Sequence, residues 1–348
     1  MTEVFWKKYT LNFKKPSGTS RGVLLEKHSY FFIAKNLDFP YPVLGECSLI
    51  EGLSPDPVDG YEDKLTKVCD WLNQKTAYKP DLSLYPSIEF GLETFEADLK
   101  AKGNKIFYND SFTKGEDAML INGLVWMGEP KFMLDQVQDK ITQGFTCVKL
   151  KIGAIDFQEE LKILKQIRNQ FGNELELRVD ANGAFSADEA LVKLEALSAF
   201  KIHSIEQPIK PGQWSEMARL CQETPIPIAL DEELISVIDL SQKTELLDTI
   251  KPHYIILKPS LLGGLNASSQ WIHLAEERSI AWWMTSALES NVGLNSITQF
   301  TYSKNVNLPQ GLGTGSLYLN NFESPLYIQG EMIKFDPDNS WNLNNLIL

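Results

Sequence analysis

The feature that most constrains this chain is a strict alternation that begins near residue 119. Short apolar runs, INGLVWMG, CVKLKIG, LELRVDANG, IHSIEQP, IPIALDE, YIILKPS, AWWMTSA and LPQGLGTG, are separated by segments of helical period. In DFQEELKILKQIRNQFG, Phe157, Leu161, Leu164, Ile167 and Phe171 fall on one helical stripe. Asp156 and Glu159 have capping-box spacing there, and Gly172 suits a helix C-terminus. SADEALVKLEALSAF repeats the design with Ser186 and Glu189. Eight strands alternating with seven helical segments predict an α/β chain, a (β/α)7β TIM-like barrel over 119–319, with an open doubly wound sheet as the alternative.

The preceding residues follow another logic. TLNFKK, GVLLEKHSYFFIAKNL and VLGECSLIEGL read as strands, and EDKLTKVCDWLNQK and PSIEFGLETFEADLKAKG as helices. Strands followed by helices predict a small α+β domain over 1–118. KKPSGTSRG reads as a mobile loop. The tail, 320–348, has no βα signal and is expected to return to the first domain.

CVKLKIG raises a question of its own, because Lys149 and Lys151 interrupt an apolar run. Side chains alternate across a strand, so Cys147, Lys149 and Lys151 share one face. A half-buried strand with its lysines in water is the plain explanation, and the other strand ends weigh against it. Lys151, Asp180, Glu206, Asp231, Lys258, Ser286 and Gly311 follow one another at intervals of 29, 26, 25, 27, 28 and 25 residues. One strand, one helix and two loops occupy about that length. The register therefore predicts one such residue per unit at the C-terminal mouth, where barrel active sites lie.

Asp180, Glu206 and Asp231 come from three consecutive strands. Three carboxylates converging at one mouth repel unless a cation sits among them, and an all-oxygen donor set favours Mg²⁺, with Mn²⁺ the alternative, over Zn²⁺. Lys151 and Lys258 lie four strands apart, on opposite walls of an eight-strand ring. A lysine acts as a base only if its pKa falls, and a nearby cation, other ammonium groups and burial all push it down. Proton abstraction beside a carboxylate needs such a site, with the metal and a lysine holding the developing charge.

Composition excludes other classes. A net charge of −13 disfavours nucleic acid and anionic membranes as partners. Four scattered cysteines without a CxxC fit a reducing compartment. The N-terminus lacks a signal-peptide core and no apolar run is long enough to span a membrane, so a cytoplasmic location is expected. The histidines, His28, His203, His253 and His273, lie elsewhere; His203 begins the fourth strand, at the end opposite the mouth.

The motifs KLK (149–151), RVDANG (178–183), IEQP (205–208), ALDE (229–232) and ILKPS (256–260) together resemble the enolase superfamily over the whole chain. The seventh strand lacks a histidine, and lysines on strands two and six look like the muconate-lactonizing-enzyme subgroup. The eighth, QGLGTGSLY, carries no carboxylate to hold a substrate ammonium. KKPSGTSRGVLLEK, PSIEFGLETFEADL, INGLVWMG and GLGTGSLYLNN look like the o-succinylbenzoate synthase family of menaquinone pathways.

The resemblance implies a small-molecule carboxylate substrate and dehydration of 2-succinyl-6-hydroxy-2,4-cyclohexadiene-1-carboxylate to 2-succinylbenzoate. Asp180, Glu206 and Asp231 then hold Mg²⁺, Lys151 removes the α-proton, and Lys258 stabilises the enediolate. Lys149 tunes Lys151 and contacts the carboxylate, and Asn182 bonds near the metal or substrate. Ser286, Gly313 and Thr314 are expected to bind the succinyl arm, with Ser20 and Arg21 in a loop that closes over the site. Glu232 is expected behind Asp231, and Glu289 either caps a helix or touches the site. Gly311, Gly313 and Gly315 mimic a dinucleotide fingerprint but have no helix after them. The rival within the subgroup is an N-acylamino acid racemase using the same two lysines. A barrel that uses its metal only for rigidity and a phosphosugar-binding barrel are more distant alternatives.

Overall fold

The computed structural model describes residues 3–19 and 22–347. Three strands open the chain: β1 (Phe5–Thr19), β2 (Gly22–Ala34) and β3 (Val43–Cys47), antiparallel in the order β1-β2-β3. The second half of β2, Tyr30–Ala34, shows no polar alternation because both its faces are covered. Tyr30, Phe32 and Ala34 pack with Leu65 and Val68 of α1 (Tyr61–Leu72) and with Ile88, Leu92 and Phe95 of α2 (Pro86–Lys100). Phe31 and Ile33, on the other face, meet Val292, Phe322, Trp341 and Leu343. A Cβ on Gly45 of β3 would stand 2.0 Å from the Gly91 carbonyl oxygen, so the close approach of α2 requires glycine there.

Next come β4 (Ala118–Leu120), β5 (Gly123–Val125), α3 (Pro130–Thr142), β6 (Cys147–Lys151), α4 (Phe157–Phe171), β7 (Glu176–Asp180) and α5 (Ala187–Ser198). They are followed by β8 (Ser204–Glu206), α6 (Trp214–Glu223), β9 (Ile228–Leu230), α7 (Leu240–Ile250), β10 (Tyr254–Leu257), α8 (Pro259–Leu262), α9 (Gly264–Glu277), β11 (Ala281–Met284) and α10 (Asn291–Tyr302). The sheet runs β5 to β11 in sequence order, all parallel. Asp156 and Ser186 cap α4 and α5 as their spacing predicts.

Seven of the eight expected staves are strands. The eighth is reduced to two bridges, Thr285 to Gly311 and Ile121 to Gln310, which close the ring between β11 and the start of β5. Pro309 offers no N–H here. Side chains make up the shortfall: Met284 N donates to Gln310 Oε1 at 2.7 Å, and Arg178 Nη1 crosses the interior to the Pro309 carbonyl at 2.8 Å. The core of the barrel is Val148, Leu150, Leu177, Val179, Ile205, Ile228, Leu230, Ile255 and Leu257, packed on the helix stripes.

The tail divides. Trp341, Leu343 and Leu346 pack on the first sheet, and the last two belong to or precede α11 (Asn344–Ile347). An unforeseen hairpin, β12 (Leu326–Gln329) and β13 (Met332–Phe335), instead adds β4 to make a second small antiparallel sheet. Among the described residues no helix is long and apolar enough to cross a membrane.

Candidate active site

Parallel pairing sets the height of each functional side chain. Lys151 is the Cα partner of Asp180, and Asp180 of Glu206, so three chemically active residues lie in one row across β6, β7 and β8. Asp231 and Lys258 follow β9 and β10 by one residue. All five sit at the C-terminal ends of the staves. A groove of 610 Å³ lined by Asp248, His253 and Arg278 opens at the opposite ends and holds none of them.

The lysines do turn inward. Lys149 Nζ bridges Asp180 Oδ2 at 3.0 Å and Glu206 Oε2 at 2.5 Å. Lys151 Nζ lies 3.3 Å from Asp180 Oδ2 and donates to Asn182 Oδ1 at 2.8 Å. Lys258 Nζ pairs with Asp231 Oδ2 and stands 3.9 Å from Glu206 Oε1. The three carboxylate side chains are no more than 2% exposed.

Burial makes these charges interact strongly. Burial alone would lower Lys149, yet Asp180, Glu206 and Asp231 outweigh it and hold its ammonium well above the usual lysine range. Lys258 is raised too: burial opposes, and Asp231 and Glu206 prevail. Asp180 is held low despite burial, by Lys149 and Lys151. Burial, and then Asp180, push Glu206 well above the ordinary glutamate value. Lys149 and Lys258 are raised because acids are their nearest charges.

Among the described residues, no group of three or more His, Cys, Asp or Glu side chains stands ready-made around a metal position. The reason is visible: Lys149 and Lys258 fill the gaps between the three acids. The residues nevertheless fit a hard divalent cation. Glu206 Oε1 is buried and accepts no hydrogen bond, and the donor set is entirely carboxylate oxygen.

The remaining predicted residues sort into three groups. Asn182, in a left-handed conformation (φ 45°), ties Lys151 to Glu232, donating from Nδ2 to Glu232 Oε1 at 3.0 Å. Ser286 and Thr314 are at the mouth, but their hydroxyls serve each other and Glu289: Thr314 Oγ1 donates to Ser286 Oγ at 2.8 Å, and Ser286 Oγ to Glu289 Oε2 at 2.6 Å. Gly313 begins the short turn that carries Thr314, over Ile121 and Asn122 of the first stave. Glu289 does not cap α10, where Ser290 is the cap, and it also accepts from Ser260. Ser20 and Arg21 lie outside the described residues.

Sequence reasoning missed several groups. Gln207, inside IEQP, receives Asp231 N and Glu233 N at 3.2 Å and so positions the loop that carries Asp231. Arg178 lies on the same strand face as Asp180, and that alternation was the available signal. Its guanidinium stacks on Trp283 at 4.4 Å beneath the acids. Glu46 of β3 and Glu93 of α2 cap barrel helices from the first domain, at Ser290 N and Gly293 N of α10 and at Leu265 N of α9. No local pattern announces a cap supplied from so far away in sequence.

The histidines stay clear of the mouth: His203 lies at the N-terminal end of β8 beside Tyr254, and His253 Nδ1 accepts Ile228 N.

Comparison with known proteins agrees with this geometry. Residues 133–333 match the enolase C-terminal domain-like family. An o-succinylbenzoate synthase of Desulfotalea psychrophila is 43% identical over 95% of this chain and 98% of its own. The crystal structure of MenC from that organism superposes with a TM-score of 0.83 at 40% identity, covering 95% of this chain and 99% of that one. The L-Ala-D/L-Glu epimerase of Bacillus subtilis, at 18% identity and a TM-score of 0.80 over 95% of each chain, shares the fold. The chain belongs to the enolase superfamily and, within it, to the family of the o-succinylbenzoate synthases.

Proposed function

We propose that the chain dehydrates 2-succinyl-6-hydroxy-2,4-cyclohexadiene-1-carboxylate to 2-succinylbenzoate in menaquinone biosynthesis. The observation that carries this reading is the placement of Lys151 and Lys258 on staves four apart, either side of the Asp180–Glu206–Asp231 row. It occurs in a chain alike over its length to an o-succinylbenzoate synthase.

Asp180, Glu206 and Asp231 would hold Mg²⁺, or Mn²⁺. When bound, such an ion supplies fixed positive charge for the substrate carboxylate and neutralises the acids that now bind Lys149 and Lys258. Lys151 Nζ takes the α-proton, aimed by Asn182 Oδ1 at 2.8 Å. Lys258, from the opposite wall, donates to the carboxylate oxygen as charge gathers there. Lys149 holds the same carboxylate and, as a neighbouring ammonium, favours the neutral form of Lys151. The C–O bond then breaks, Lys151 returns its proton to the leaving hydroxide on the same face, and water departs. Aromatisation of the ring supplies driving force, so the base need not be strong.

A second reading has one observation in its favour. Ammonium groups on both sides of one carbon also suit racemisation, and the N-succinyl-L-Arg/Lys racemase of Bacillus cereus is 27% identical over 52% of this chain. The test measures conversion of the cyclohexadiene by wild type, Lys151→Ala and Lys258→Ala, beside polarimetry with an N-succinylamino acid. Dehydration by wild type alone is expected. A wild type that racemises but leaves the diene untouched, or undiminished dehydration by Lys151→Ala, would overturn the proposal.

A further inference from the structure

Beyond Lys258, the ends of staves six, seven and eight share one buried carboxyl. Glu289, fully buried, accepts the Ser260 hydroxyl on Oε1 and the Ser286 hydroxyl on Oε2, and Thr314 donates to Ser286. Glu46 lies beside it, with Gly293 wedged between the two; a Cβ there would stand 2.9 Å from both.

These two buried glutamates differ in what they accept. Glu46 receives four hydrogen bonds, two from the backbone N–H groups of Ser290 and Gly293 at a helix N-terminus, and two from the hydroxyls of Ser29 and Ser290. Backbone donors cannot turn round, so two of these bonds hold Glu46 strictly as an acceptor. Lys27 Nζ donates to Ser29 Oγ at 2.8 Å, and Ser29 Oγ donates on to Glu46. The bonds that Ser260 and Ser286 make to the Glu289 carboxyl come from hydroxyls, which donate or accept with equal ease. Protonating Glu289 therefore loses no bond: its own O–H donates to Ser286, the Ser286 hydroxyl to Thr314, and the Thr314 hydroxyl is released toward the mouth.

The direction of this chain decides what the mouth accepts. With Glu289 ionised, each hydroxyl proton is drawn inward and lone pairs face out, which repels a carboxylate. With Glu289 neutral, a donor faces out.

We infer that Glu289 is neutral in the working enzyme and, through Ser286, turns the Thr314 hydroxyl outward to hold the anionic arm of the substrate, as a positioning residue that sets specificity for that arm. The inference rests on the dehydratase reading for the identity of the arm. The charged and titratable groups facing Glu289 are Lys27 of β2, Glu46 of β3 and Tyr318. Burial pushes the Glu289 carboxyl up against the opposing pull of Ser260, Ser286 and Lys27.

The test is calorimetric binding of 2-succinylbenzoate, and of 2-butanoylbenzoate, which carries a methyl in place of the arm's carboxylate. Ser286→Ala and Thr314→Val are expected to weaken the first about ten- to hundred-fold and to leave the second nearly unchanged. Glu289→Gln, permanently neutral and able to donate to Ser286, is expected to bind within about three-fold of wild type. It should also lack any loss of affinity that wild type suffers once rising pH ionises Glu289. Infrared difference spectra of wild type against Glu289→Gln near neutral pH should show the C=O band of a protonated carboxyl.

A carboxylate band in its place, or Glu289→Gln binding as weakly as Ser286→Ala, overturns the inference. Kinetics on the diene separate the two readings. If wild type binds 2-succinylbenzoate in this pattern but does not turn the diene over, the reaction assignment fails and the hydroxyl chain stands.

Discussion

Two buried lysine–carboxylate clusters in this molecule are built from the same residue types and behave oppositely. At the joint between the first domain and the barrel, Lys105 Nζ donates to Asp98 Oδ2 at 3.0 Å, to the Pro42 carbonyl at 2.7 Å and to the Gly103 carbonyl at 3.1 Å. Its three protons are used, and Asp98 also accepts Leu44 N and Lys105 N. That cluster is closed. Burial outweighs the single acid, so Lys105 is lowered.

At the mouth, Lys149 faces three acids and is raised, and Glu206 keeps an oxygen that accepts no hydrogen bond. Lys243 completes the series: it donates to the neutral Gln270 Oε1 at 2.8 Å and lies over the Trp271 ring, and burial lowers it to about 8. A count of neighbouring carboxylates, more than burial, decides what a buried lysine does here. A closed cluster holds structure together, and an open one has capacity left for a ligand.

The largest effect expected from breaking this contrast is catalytic. Lys151→Ala and Lys258→Ala should each cut kcat by about 10³-fold, within the range for a lost acid–base group, with melting close to wild type. The closed cluster should show the reverse. Lys105→Met leaves Asp98 buried without its ammonium and should cost about 3–5 kcal/mol in denaturant unfolding, with kcat of the folded protein unchanged. Loss of activity without loss of stability in Lys105→Met would erase the distinction.

Lys243 gives the smallest and most diagnostic effect, since its sign depends on pH. Its folded pKa of about 8 lies below the unfolded lysine value. Below about pH 8 both states hold the proton, and the folded state bears the cost of a buried ammonium. Between there and roughly pH 10.4 the unfolded state binds more protons, so stability from this group climbs with pH. Lys243→Met should therefore melt higher than wild type at pH 7, and the advantage should shrink as pH rises through that window. An advantage that grows with pH would show that Lys243 is not held low.

The same contrast separates what the sequence makes legible from what it does not. Spacing places Lys151, Asp180, Glu206, Asp231 and Lys258 because one βα unit has a nearly fixed length, and parallel pairing converts that length into height. The eighth stave was harder, since LPQGLGTG pairs through only Gln310 and Gly311 and leans on the side chains of Gln310 and Arg178. Ser286 and Thr314 were placed at the right end, but their partner was not foreseen. Glu289 gathers hydroxyls from three staves, and the contacts that gather them span up to 29 residues with no periodic mark. Glu46 is harder still, acting on a helix 244 residues away.

The central claim is that the acids at the mouth retain capacity for a divalent cation on which the chemistry depends. The direct measurement strips the protein with EDTA and titrates Mg²⁺ while following turnover of the cyclohexadiene and the melting temperature together. The account predicts that turnover vanishes in chelator and returns with Mg²⁺. Stability should rise by about 2.7 kcal/mol at a hundredfold excess over Kd, and neither response should survive in Asp231→Asn. Full turnover in chelator, with melting indifferent to Mg²⁺, would contradict it.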